Sequence, residues 1–433
     1  MRRLTLDEVR ALLPDVEELR PILDDLLSRS DPDGSRTWAG SGELGTAGSR
    51  LLPEGDVDEA IAELARVESR HIASVYARIA DALKAAASED APAAARAYLE
   101  VSASEENRDR PERAAAWADA AFRSVEGERD RTLAALALRR SARARRATGS
   151  FEEALRLYRR SHELALGMSD RRGAAEAAIG AGNVLEEQGR WDEAESCYHS
   201  ALDALAPLED PTPERWHALI NLHIVARSKG ELEASTPLLR EAEEAATSCE
   251  GDAAVPFIEN ARGQLLMAKG AFEEAEDHFR AAIAAAAGAR ARVQIRLNLA
   301  ECFLARGRLL DAAEHARECE RDAIRSRVTP KLPEVYRLLG RIAAAEGNPD
   351  AFVLFERSLD IAKERTPGSL EEALTLQAYA AAESGRGEAE AARQLREDAR
   401  KIFERLGITR ERQRWADVYG PASENQSTAQ DGT

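Results

Sequence analysis

The chain has 433 residues, enough for two or three globular domains or for one long repeat array. Charged side chains make up 32% and the hydrophobic set 44%, with aromatics at 5% and an apolar share that leans on Ala and Leu; this is a helix-forming composition. With 60 basic against 78 acidic side chains the formal charge is −18, which disfavours generic attraction to nucleic acid phosphate or to an anionic membrane surface.

Residues 1–28 read as an amphipathic helical segment, with Thr5 and Glu8 as a capping box and breaks near Pro14 and Pro21. Asp7 and Glu8 fall where the apolar core of a signal peptide would begin, and no run of 18 apolar residues follows anywhere in the chain. A cytoplasmic protein is therefore expected. Residues 29–55 are rich in Gly, Ser and Asp around the lone Trp38, the composition of a flexible linker or a docking segment. Cys197, Cys249, Cys302 and Cys319 are scattered without a CxxC pair, so neither a disulfide framework nor a zinc site is signalled. Only six basic residues are Lys, an Arg bias of the kind expected from a GC-rich bacterial genome.

A repeat then governs most of the chain. Turn-like blocks begin at Gly149, Gly189, Gly230, Gly270, Gly307 and Gly347, at spacings of 40, 41, 40, 37 and 40 residues. Helical runs flank each block, so each glycine is expected to end one helix in a left-handed turn and return the chain as a hairpin. In the second helices a small residue precedes a large one by four, as in Ala154 and Tyr158, Ala194 and Tyr198, Ala275 and Phe279, Ala351 and Phe355, and Ala391 and Leu395. Spacing of four places both on one face. Seven residues before each turn glycine the first helix carries Ala142, Gly182, His223, Gly263, Ala300 or Gly340, so the two helices should cross closely there. Ser150 with Glu153 and Ser369 with Glu372 read as capping boxes, and Thr212-Pro213 and Thr329-Pro330 as N-caps followed by proline.

These residues resemble the tetratricopeptide repeat (TPR) family, strongly from about Ala135 to Glu404 and more weakly from Asp56 to Gly127, with an extended period of about forty residues. His223, Pro237 and a short turn after Gly347 depart from the pattern. The resemblance implies an all-α, superhelical solenoid of antiparallel helical hairpins with about seven or eight repeats. The array is expected over residues 56–420, with Ile408 to Tyr419 as a C-terminal cap, and residues 421–433 as a disordered tail.

Catalytic patterns are absent: there is no GxxxxGK[ST] loop, no GxGxxG after a strand, no GxSxG elbow and no HExxH. His315 and Cys319 share a helix face, but Cys319 stands where other repeats place Ala201, Ala242 and Ala282, which favours a packing cysteine. No enzyme activity, cofactor or metal is expected. In the TPR register the inward positions lie three residues before and one after the small position. They are Arg139 and Arg143, with Arg146 a turn beyond; Asn183; Ile220, Ile224 and Arg227; Asn260 and Gln264; and Arg337 and Arg341. Arg suits a carboxylate and Asn a peptide amide. The expectation is a non-catalytic scaffold or adaptor whose concave groove binds a protein or peptide, with an acidic segment as one candidate ligand, and neither nucleic acid nor membrane. The alternatives are a peptide-sensing regulatory protein, or an accessory subunit of a larger complex such as a protease-based bacterial defence assembly.

Overall fold

The computed structural model describes residues 90–107, 110–126, 130–208, 211–249, 252–325 and 329–408. The expected N-terminal helix, the linker, most of the C-terminal cap with Trp415, and the tail lie outside these residues. Among the described residues there are sixteen α-helices and no strand. They pair in sequence into eight hairpins. The first is α1 (Ala91–Asn107) with α2 (Pro111–Val125), followed by α3 (Arg131–Ala147) with α4 (Phe151–Gly167), and α5 (Arg171–Glu187) with α6 (Trp191–Leu205). Next come α7 (Pro213–Ser228) with α8 (Leu232–Thr247), and α9 (Val255–Ala268) with α10 (Phe272–Ala285). The last three are α11 (Ala289–Ala305) with α12 (Leu309–Arg325), α13 (Leu332–Ala345) with α14 (Asp350–Arg365), and α15 (Leu370–Gly385) with α16 (Ala389–Arg405).

The chain divides into two compact units, Met1–Gly173 and Ala174–Thr433. In the first, Tyr98 and Trp117 bring their rings to 5.5 Å between α1 and α2. Asp119 of α2 receives Ser141 at 2.6 Å and Arg145 at 2.7 Å from α3. The helix starts combine side-chain and backbone devices: Asp130 accepts the Leu133 N–H at 3.1 Å and so caps α3.

Every expected turn glycine has a left-handed backbone, with φ of 77°, 72°, 82°, 78°, 70° and 71° from Gly149 through Gly347, and Gly387 adds a seventh at 88°. Only a residue without Cβ holds that conformation cheaply, which is why glycine recurs there. The small positions also do what close crossing requires. A Cβ placed on Gly182 would lie 2.5 Å from the Tyr198 ring, on Gly263 2.6 Å from Phe279, and on Gly340 2.8 Å from Phe355. The aromatic ring of the second helix thus rests directly on first-helix backbone.

His223 fits the crowded position by exchange. The second helix offers Ser235, whose hydroxyl meets His223 Nδ1 at 2.8 Å, and Leu239 stands where other hairpins have a ring. Burial holds the His223 imidazole neutral, its pKa pushed down to about 4. Helix α8 continues through Pro237. After Gly347 the buried Ala351 comes one residue earlier than its counterparts, and Asn348 accepts the Asp350 N–H at 3.0 Å to close the shorter turn.

Three local expectations are corrected. Ser150 does cap α4 by position but makes no side-chain cap bond: its hydroxyl meets that of Thr148 at 3.1 Å, and the carboxylate of Glu153, the other half of the expected box, is drawn to Arg145 at 2.8 Å. Thr329-Pro330 forms a 3-10 turn, and α13 begins later with Pro333 in its first turn. In the last hairpin the buried small residue is Ala392, five after Gly387, whereas Ala391 is exposed. Ser369 behaves as expected, accepting the Glu372 N–H at 3.3 Å, although Glu372 reaches back to the Gly368 N–H at 2.6 Å and not to that of Ser369.

Candidate functional site

Position twelve after the turn glycine explains the cysteine. There Ser161 donates to the Ala135 carbonyl at 2.8 Å, and Cys319 points its thiol at the Val293 carbonyl at 3.6 Å. Ser358 performs the same task on Pro333 from the shortened hairpin, at 2.8 Å. Cys319 is fully buried, and burial pushes its thiol up to about 12. His315 stacks on Phe303, ring centroids 5.3 Å apart. Among the described residues no group of three or more His, Cys, Asp or Glu side chains is placed to hold a metal ion.

The arginines expected to await an anion are engaged by the chain itself. In the first unit Arg143 of α3 donates to Glu106 of α1 at 2.6 Å, and Arg140 stands 3.7 Å from the same carboxylate. Arg139 and Arg146 are half-buried and likewise have interactions within the chain. In the second unit Arg337 of α13 donates through Nε to Glu371 of α15 at 2.8 Å, and Arg341 donates to Glu301 of α11 at 3.0 Å. Burial disfavours the Arg337 charge, but Glu371, Glu301 and Glu334 outweigh it and hold the guanidinium above the ordinary arginine range. For Arg341 burial wins, helped by Arg337 and opposed by Glu301, and its pKa is lowered.

The asparagines form cross-helix pairs. Asn221 of α7 donates to Asn183 of α5 at 2.9 Å, and Asn298 of α11 donates to Asn260 of α9 at 2.8 Å. Tyr198 also donates to Asn183, at 2.8 Å, which ties the ladder to the second helix. Ile220 is buried in a cluster with Trp216, Leu219, Ala242 and Ile258, and Ile224 packs against it. Ile220 therefore belongs to the core and not to an open surface.

A cavity of about 180 Å³ opens where four successive first helices of the second unit converge. It is lined by Arg227 from α7, by Gln264 and Met267 from α9, by Gln294, Leu297, Asn298 and Glu301 from α11, and by Glu334 and Arg337 from α13. Three of the expected inward residues, Arg227, Gln264 and Arg337, meet here. Leu297 and Glu301 were legible by the same rule, lying three before and one after Ala300, while Gln294, Asn298, Met267 and Glu334 required the packing to be seen. Gln264 Oε1 is buried without a hydrogen-bond partner.

A tetratricopeptide repeat family model matches residues 132–206. The chain carries tetratricopeptide repeats. Outside the matched hairpins the same glycine turns and small crossing positions recur through Gly387. Among solved structures, a Rap protein complexed with Competence and Sporulation Factor is similar with a TM-score of 0.59 at 14% identity, covering 93% of this chain and 99% of that one. The apo form of the quorum sensor NprR from B. thuringiensis gives 0.49 at 11% identity, covering 89% and 97%. A tetratricopeptide repeat protein from Parabacteroides merdae gives 0.42 at 15%, covering 62% and 93%. At 14% identity the likeness to the Rap protein is one of fold alone. Comparison with curated proteins finds no match. None of the described helices is long and apolar enough to cross a membrane.

Proposed function

We propose that the chain is a non-catalytic interaction protein that holds an extended segment of a partner protein or peptide along the first-helix face of its second unit. The cavity shared by α7, α9, α11 and α13 carries this reading. Stacked hairpins present their first helices side by side, so a ligand lying across them meets one set of side chains per repeat. Here that set combines amides, charged groups and two apolar side chains, Met267 and Leu297. Small-molecule sites usually enclose about 300–1,000 Å³; a cavity of about 180 Å³ suits one anchoring side chain of a longer ligand. The Rap protein of similar fold was crystallised with a bound factor, which supports a ligand-holding role for the architecture. Internal pairing of Arg143, Arg337 and Arg341 argues for a ligand recognised through amides and shape more than through acidic charge.

Affinity capture by the full chain in its native host, followed by mass spectrometry, tests the reading. A constant partner should be retained by Val353→Arg, on the exposed side of α14, and lost by Gln294→Trp, which puts a bulky ring at a position lining the cavity. A partner indifferent to Gln294→Trp and lost by Val353→Arg would place the interface on the second helices and defeat the proposal.

A further inference from the structure

We propose that Ile408, Leu370 and the Gly189 turn form a clasp that holds the second unit wound closed, and that the unit opens by parting this contact. In an array of helical hairpins each repeat packs on its immediate neighbours. The second unit adds a contact of another kind. A Cβ placed on Gly189, in the turn between α5 and α6, would lie 2.7 Å from Ile408 Cδ1 and 3.7 Å from Leu370 Cδ2. Leu370 begins α15 and Ile408 follows α16, so the chain has run on through five more hairpins before it returns to this turn. At the equivalent glycines Gly270, Gly307, Gly347 and Gly387 an added Cβ would meet nothing within 4 Å. Those four are exposed, whereas Gly189 and Ile408 are buried. A charge pair runs alongside. Burial disfavours the Lys331 ammonium just ahead of α13, but Glu334 at 2.6 Å, Glu187 at the end of α5, and Glu371 outweigh it and raise its pKa.

The turn edge of the third hairpin thus meets the opposite edge of the seventh and eighth, and the first helices that line the cavity, α7 to α13, lie between the joined ends. Curvature in such an array is a sum of small rotations between adjacent repeats. Parting the clasp therefore leaves every neighbouring interface intact and exposes chiefly Ile408. Burying an isoleucine side chain shifts an equilibrium by about tenfold to a hundredfold. That is enough to keep the free unit closed, and small enough for the contacts of a ligand entering between the first helices to offset. Glycine at position 189 serves twice, since it takes the left-handed turn at φ 72° and leaves room for the incoming isoleucine.

Pulsed electron paramagnetic resonance on the full chain tests the clasp without any ligand. Nitroxides are attached through Glu193→Cys, exposed at the start of α6, and Glu364→Cys, exposed near the end of α14, with Cys197→Ser and Cys249→Ser removing the partly exposed native thiols. Fraying after α16 moves neither label. A control pair at Arg325→Cys and Glu364→Cys lies on one side of the seam. The native chain should show one dominant short separation between 193 and 364. Ile408→Ser should raise a longer, open population at least fivefold, Ile408→Val should raise it far less, and the control pair should not change. A distribution unaltered by Ile408→Ser, equal effects of Ser and Val, a control pair that broadens to the same extent, or a native chain already dominated by the long separation would overturn the clasp. None of these results bears on the groove reading, which capture with Gln294→Trp decides separately.

Discussion

Gly263→Ala sets two opposing effects against each other. In a helix interior alanine is favoured over glycine by about 1 kcal/mol. The new methyl, however, would lie 2.6, 2.7 and 2.9 Å from three carbons of the Phe279 ring, where carbon atoms prefer about 3.5–4.0 Å. The ring must retreat by about 1 Å, and Phe279 is fully buried with no solvent-facing side to retreat toward. Overpacking of this kind costs about 1–3 kcal/mol; with three ring carbons affected the upper part of that range applies, leaving a net loss of about 2 kcal/mol. Gly385→Ala, at the end of α15 with no atom within 4 Å of the added carbon, serves as the control and should be neutral or slightly stabilising. Urea unfolding followed by circular dichroism reads the global change, and hydrogen exchange in α9 and α10 localises it, since repeat arrays can open hairpin by hairpin. Phe279→Leu should cost less in the Gly263→Ala background than alone, as the hairpin bearing His223 and Leu239 suggests. A Gly263→Ala chain as stable as the native one, or additive behaviour of the two substitutions, would refute the claim that the ring sits on first-helix backbone.

Three further outcomes follow from the same geometry. The depressed pKa of His223, about 4 against an ordinary 6.5, means the unfolded chain takes up the proton first. Stability should therefore be complete above pH 6.5 and fall as pH drops toward 4, by about 3 kcal/mol, and His223→Gln should flatten that dependence in urea titrations across this range. Ser369→Ala should destabilise α15 by about 1 kcal/mol while Ser150→Ala changes stability by a few tenths at most, because only Ser369 makes the cap bond; equal effects in thermal melts would contradict the cap assignment. Gln264→Leu should raise stability by about 1 kcal/mol in urea unfolding, since it removes a buried acceptor that has no donor, and a loss of stability would show that the amide is satisfied in the free protein.

The repeat was legible because its devices are local. A left-handed turn demands glycine, and a close crossing demands a small residue at a fixed distance from it, so both recur at a readable period. The helix caps were less legible: Ser150 and Glu153 have the spacing of a box, but Arg145 competes for the carboxylate, and only packing decides which wins. The partners of the expected groove arginines were hidden for the same reason. Spacing along one helix places Arg139, Arg143 and Arg146 in a stripe, but it does not show that Glu106 meets Arg143 from 37 residues upstream. Glu371 meets Arg337 across 34 residues and Glu301 meets Arg341 across 40. Each separation is close to one repeat, as are the 38 residues between Asn183 and Asn221 and between Asn260 and Asn298. Reading neighbouring repeats side by side, not each helix alone, is the pattern that exposes such partners.

The binding face can be read directly by photocrosslinking in the native host, with p-benzoylphenylalanine replacing Gln294 on the first-helix face in one variant and Val353, which is 63% exposed on α14, in another. The account predicts a discrete crosslinked partner from position 294 and none from position 353. A partner captured only from position 353 would contradict it.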